Sequence, residues 1–133
     1  MYLDIAKICK DMGLTKFEFI IPKNEMVVLE ILGKRMLFAH GHQFKYAGGI
    51  GGIYPSMLRW YAKMAKTFKI DKAFIGHWHS SININEVTVN GTPKGWDAYA
   101  MSHGFEFERP CQNMTLLDSK HGFCLFQPIF LDA

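Results

Sequence analysis

Four of the chain's six histidines fall into two His-x-His pairs: His40 and His42 in "LFAHGHQF", and His77 and His79 in "FIGHWHS". Each pair directly follows a short hydrophobic run, which predicts a loop at the carboxyl end of a β-strand. Imidazole is the commonest nitrogen ligand for zinc, manganese and iron, and loops past strand ends often hold catalytic metals. If His77-Trp78-His79 is extended, alternation puts both imidazoles on one side and Trp78 on the other. The competing role for any one of these histidines is a hydrogen bond to a neighbouring carbonyl. Two pairs placed after two apolar runs favour metal ligation for His40, His77 and His79. His42 stays open between the two roles, while His103 and His121 sit in turn-like sequence and are expected at the surface.

Other constellations carry less chemistry. "GGIGG" lacks the Gly-Lys-Ser/Thr ending of a phosphate-binding loop and the G-x-G-x-x-G spacing of a dinucleotide site, so it reads as a flexible loop or lid. Cys9, Cys111 and Cys124 are odd in number, far apart and outside any C-x-x-C spacing, which argues against a disulfide framework or a zinc knuckle and fits a reducing compartment. They lie in apolar helical or strand-like sequence, where cysteine is usually core. No G-x-S-x-G elbow presents a serine nucleophile.

The elements that must position the histidines can be read from periodicity. Residues 3–12 have helical spacing and stop at Gly13. "KFEFII", "EMVVLEIL" and "RMLFA" read as three strands, the last ending at His40. After the Gly-rich loop, Pro55 suits the first turn of a helix running to about Lys69, with Met57, Trp60, Tyr61, Met64, Ala65 and Phe68 in one stripe for packing on a sheet. "KAFIG" reads as a buried strand that stops at His77. "ININEVTVNGT" holds strand material with an Asn90-Gly91 turn, and a helical piece is expected over Trp96–Met101. The tail forms two strands joined at 119–122.

With 49% hydrophobic residues, the 133-residue chain has the content of a single domain, 1–133. A net charge of +3, spread along the chain, does not announce a nucleic-acid surface. No apolar stretch is long enough to cross a bilayer, and acidic residues interrupt the first residues where a signal peptide would be apolar, so a cytoplasmic location is expected.

Taken in order, strand, H-G-H, Gly-rich loop, helix, strand and G-H-x-H resemble the C-terminal part of the calcineurin-like metallophosphoesterases over roughly residues 25–128. "VNGTPKGWDAYA" is similar to the phage and prophage members. The resemblance implies an α/β sandwich, of which this chain would be a fragment with a mostly antiparallel sheet packed on helices. In that family two divalent ions, bridged by an aspartate and a water or hydroxide, act on a phosphoester. Here His40 and His77 would bind one ion and His79 the other, with manganese expected first and zinc, iron or nickel as alternatives. The resemblance also implies an Asp-x-His, a Gly-Asp and a Gly-Asn-His, and none occurs in this sequence. Three imidazoles do not make a two-metal centre, since hard cations also want carboxylate oxygen.

The expectation is therefore a C-terminal portion, inactive alone, that hydrolyses phosphodiesters or nucleic acid when completed. The alternative is a non-catalytic binding or inhibitory module. Its expected partner is the missing N-terminal half or a second copy, with the apolar strands 25–32 and 35–39 at the interface because half of the sandwich would otherwise leave them facing water.

Overall fold

A computed structural model describes residues 2–46, 52–104 and 107–132. Its centre is a five-stranded sheet in the order β1-β2-β3-β5-β4. The strands are β1 (Met26–Ile31), β2 (Lys34–Ala39), β3 (Lys72–Ile75), β4 (Ile82–Asn83) and β5 (Val87–Val89). β1 and β2 form an antiparallel hairpin about Gly33, whose φ is +74°. β2–β3 and β3–β5 are parallel, and β4 returns antiparallel to β5. A parallel pair needs a crossover. Between β2 and β3 it is supplied by helix α2 (Tyr54–Phe68), which starts with Pro55 in its first turn and stops at Lys69 in a left-handed conformation. A second sheet, the hairpin β6 (Cys111–Asp118) and β7 (Gly122–Phe130), turns at 119–121 as expected.

Register decides which side chains meet. Leu37 pairs with Ala73 and Ala73 with Val87, while Ala39 pairs with Ile75 and Ile75 with Val89, so these residues share one face. Met57 and Trp60 of α2 bury against that face, with Tyr61, Met64 and Ala65 packed beside them. This is the stripe expected from the sequence, and only Phe68 reaches its edge, at 36% exposure. On the opposite face Phe38 stacks on Phe74 at 5.2 Å, and Phe74 meets Phe123 of the hairpin at 6.1 Å. The result is an α/β sandwich: helix, mixed sheet, hairpin. Three of its five strand pairings are antiparallel, and the two parallel ones carry the histidine loops.

Several expectations need correction. "KFEFII" is not a strand: residues 16–20 are exposed and pair with neither sheet. The preceding helix α1 (Tyr2–Asp11) forms as its periodicity predicts but buries no residue. Asn90-Gly91 is not a reverse turn. The chain reverses earlier, where Ile84 N–H donates to the Val87 carbonyl (3.0 Å), and Asn90 instead bonds to the hairpin through Gln112 and Asn113. The second short helix, α3, is Ala98–Ser102, shifted because Asp97 caps it by accepting from Ala100 N–H at 2.9 Å. Of the cysteines only Cys111 is buried; Cys9 is half-buried and Cys124 is exposed. The strands feared to face water are mostly covered: Met36 and Leu37 are buried and Val27, Val28 and Leu29 half-buried, leaving Ile31 and Leu32 exposed. The Gly-rich loop, expected as a lid, falls largely at 47–51, outside the described residues.

Candidate functional site

β2 and β3 end side by side, with Ala39 paired to Ile75 and the Gly76 N–H donating to the His40 carbonyl at 3.0 Å. The two loops that follow therefore leave the sheet in contact. A Cβ on Gly41 would lie 2.9 Å from the Gly76 carbonyl oxygen, and its φ is +107°, so this position needs glycine for both space and conformation. Gly76 has no such need, because a Cβ there would meet the His40 carbonyl at an ordinary 3.6 Å.

This close approach brings the expected ligands together. His40 Nε2 and His77 Nδ1 are 3.0 Å apart, and their rings cross nearly edge to face with centroids 4.8 Å apart. His42 stands 5.5 Å from His40 and 6.3 Å from His77 by ring centroid, and its Nε2 faces Glu25 at 2.9 Å. Glu25 thus gives His42 a carboxylate neighbour of its own. His79 lines the same cleft as His40 and His77. Among the described residues, however, no three His, Cys, Asp or Glu side chains converge as a preformed metal cage. His103 and His121 are exposed, and each is engaged locally: His103 with Tyr99, and His121 with Asp118.

The His77-Trp78-His79 segment is not extended, which corrects the alternation expected for it. His77 and His79 both adopt left-handed backbone, φ 69° and 58°, a conformation that costs a non-glycine residue energy and tends to cluster at functional sites. Trp78 does turn inward, as expected. Its ring stacks on Phe44 at 5.4 Å, and its indole N–H donates to the Gly41 carbonyl at 3.0 Å, tying the second histidine loop to the first. Desolvation, followed by the neighbouring imidazoles of His40, His42 and His79, lowers the His77 pKa. A neutral imidazole with an available lone pair is the form a metal requires.

The histidines form one side of a cleft of about 620 Å³ whose other walls include Trp96 and Tyr99 of the "VNGTPKGWDAYA" stretch, and Glu108. Ser80 donates to Glu108 at 2.7 Å, and Trp96, Tyr99 and Glu108 line the cleft with them. Glu108 could not be foreseen because it is 28 residues from Ser80 and reaches the site only through the path of the chain after α3.

No family model and no curated protein matches the sequence. Among solved structures, the chain is similar to Vps29 of Entamoeba histolytica complexed with Zn²⁺, with TM-score 0.50, 13% identity, and coverage of 88% of this chain and 66% of that one. The fold resembles that of Vps29. A single mutant of the same Vps29 gives TM-score 0.53 at 14% identity with the same coverage. The chain thus spans 66% of the length of these Vps29 chains.

Proposed function

We propose that the chain is the C-terminal part of a metal-dependent phosphoesterase, to which His40, His77 and His79 contribute ligands for divalent ions. Manganese is the first choice, with zinc, iron or nickel as alternatives. Hydrolysis of phosphodiesters or nucleic acid then begins only when the missing carboxylate and Asn/His ligands are supplied. One observation carries the reading: imidazoles from two adjacent parallel strands meet at 3.0 Å at the mouth of a cleft. The two rings share a hydrogen bond at this distance, so an ion held by both would take the place of the shared proton. The donor set is all nitrogen and lacks a bridging carboxylate, which fits a partial centre. Crystallisation of an Entamoeba histolytica Vps29 with Zn²⁺ also supports the reading.

Bound divalent ions supply charge for the phosphoryl oxygens and activate water. The chain's own residues do the rest: Gly41 allows the loops to touch, Trp78 fixes their spacing, and His77 stays neutral to receive the cation. The likeness of "VNGTPKGWDAYA" to phage and prophage members supports a place in a bacterial cytoplasm. No helix among the described residues is long and apolar enough to cross a membrane.

Calorimetric titration with Mn²⁺ or Zn²⁺ tests the metal half. Binding should be lost in His77→Ala and weakened in His79→Ala, and unchanged heats in His77→Ala would sink it. Turnover of a chromogenic phosphodiester by the chain alone, abolished by His79→Ala, would overturn the need for further ligands.

The second reading, a non-catalytic binding module, is favoured by exposed apolar side chains outside the cleft. Leu3, Ile8, Phe17 and Ile20 are 72%, 55%, 63% and 56% exposed, and Met114, Leu116 and Leu125 on the hairpin 44%, 53% and 45%. In the first reading the chain associates with itself or with an N-terminal partner, with Ile31 and Leu32 near the contact. Sedimentation as a stable monomer at micromolar concentration, with no partner present, would count against the incomplete-phosphoesterase reading and favour the independent binding module.

A further inference from the structure

We propose that Ser80 and Glu108 are positioning residues for His79: the bond between them holds the second histidine loop so that the His79 imidazole stays on the cleft wall. The consequence for metal binding rests on the phosphoesterase reading, while the hold on the loop rests on geometry alone.

His79 is in left-handed backbone, with φ +58°, and lines the cleft. A non-glycine residue keeps that conformation where its surroundings over-determine it. Here the residues on both sides are tied down, and to different layers of the fold. Before it, the Trp78 indole N–H donates to the Gly41 carbonyl at 3.0 Å, which joins the loop to the end of β2. After it, the Ser80 hydroxyl donates to Glu108 Oε1 at 2.7 Å, a length typical of a bond to an ionised carboxylate. The same hydroxyl stands 3.3 Å from the Trp78 carbonyl and so bridges back over His79. Ser81 adds a second tie, donating to Asn113 Oδ1 of β6 at 2.7 Å.

Glu108 is a fixed anchor for this bond. Its neighbour Arg109 pairs with Asp132 at 2.6 Å and lies 4.0 Å over the Phe130 ring, and the Leu131 N–H donates to the Pro110 carbonyl at 2.9 Å. Residues 108–110 are thereby fastened to the end of β7. Ser80 and Glu108 are both half-buried, and both line the cleft with His79. The central sheet therefore holds one side of His79 through Trp78, and the hairpin holds the other through Ser80. An imidazole on a loop already ordered in this way loses little freedom when it meets a cation.

NMR of the metal-free chain reads the backbone directly. The intraresidue amide-to-Hα cross-peak, strong in left-handed backbone, should weaken at His79 in Ser80→Ala and in Glu108→Ala. At Lys69, left-handed at the end of α2, it should stay unchanged. Ser80→Thr keeps the hydroxyl and Glu108→Gln keeps an acceptor oxygen, so both should restore the His79 signal. Calorimetric titration with Mn²⁺ then reads the consequence. Affinity should fall about ten-fold in Ser80→Ala and Glu108→Ala, as for residues that orient a ligand, and recover in the two conservative variants. Adding Ser80→Ala to His79→Ala should cause no further loss. A His79 cross-peak unchanged by both alanine substitutions overturns the proposal. So does a loss of affinity in Glu108→Gln equal to that in Glu108→Ala, which would make the carboxylate itself a ligand. If the wild-type chain binds no cation while the cross-peak still depends on Ser80, the phosphoesterase reading falls and the positioning role stands.

Discussion

The central sheet with α2 and the N-terminal stretch 2–21 are both rich in apolar residues, yet they end in opposite environments. In the first, Leu37, Met57, Val87 and Val89 are fully buried. In the second, α1 buries nothing, and Leu14, Phe17, Phe19 and Ile20 stay exposed at 42%, 63%, 40% and 56%. Local pattern makes a helix in both places, but only a facing surface turns a pattern into a core. The site belongs to the first region. Its loops start where Ala39 and Ile75 end, one residue beyond the buried face, so the core sets the histidine positions while the N-terminal stretch plays no part in them.

The sharpest way to break this contrast is to remove comparable apolar bulk from each region. Leu37→Ala, at a side chain with 0% exposure, should cost about 2–5 kcal/mol in urea unfolding, because a cavity remains between β1, β3 and α2. Phe17→Ala should change stability by no more than about 0.5 kcal/mol, since the ring is already in water. A comparable loss for Phe17→Ala, greater at higher protein concentration, would show that the N-terminal stretch is covered by another copy in solution.

The same contrast marks how much could be read from sequence. The α2 stripe, the hairpin turn at 119–121 and the ends of β2 and β3 were legible because burial agreed with local period. "KFEFII" alternates as a strand should, but pairing is not a local property and no edge receives it. The bend at His77 and His79 was hidden for a different reason: Trp78 between them is held by Gly41 and Phe44, contacts that local sequence does not show. Trp96 and Tyr99 lie in the "VNGTPKGWDAYA" stretch, but nothing local placed that stretch or Glu108 beside the histidines, because the cleft joins segments that are remote in sequence.

A smaller effect sharpens the boundary between the central sheet and the hairpin. A Cβ on Gly91 would lie 2.2 Å from Cys111 Sγ and 3.0 Å from the Cys111 carbonyl, so Gly91→Ala should cost about 1–3 kcal/mol by overpacking. Cys111→Ala in the same chain removes the sulfur but not the carbonyl, so it should recover part of the loss and leave a remainder. Full recovery in the double variant would mean that the backbones separate freely and that the hairpin is only loosely attached to β5.

The smallest effect is the hairpin's own pH dependence. Asp118 Oδ1 accepts from Lys120 N–H at 2.9 Å, His121 N–H at 2.7 Å and His121 Nδ1 at 2.9 Å, which closes the β6–β7 turn. The backbone bonds from His121 and Lys120, then the His121 side chain, hold its carboxyl below the ordinary 3.8. The sign follows from the two states: a carboxyl with a lowered pKa in the folded chain binds fewer protons there than in the unfolded chain. Its contribution is fully present above the unfolded value and disappears as pH falls through the folded one. Asp132, lowered chiefly by Arg109 against the end of β7, acts in the same direction. Urea midpoints should therefore fall as pH drops below about 4, and Asp118→Asn should flatten that fall while lowering the midpoint at neutral pH. Hydrogen exchange locates the effect, since amides of β6 and β7 should lose protection before those of β2 and β3. If β2 and β3 open first, the turn is not the acid-sensitive element and the central sheet is the weaker of the two.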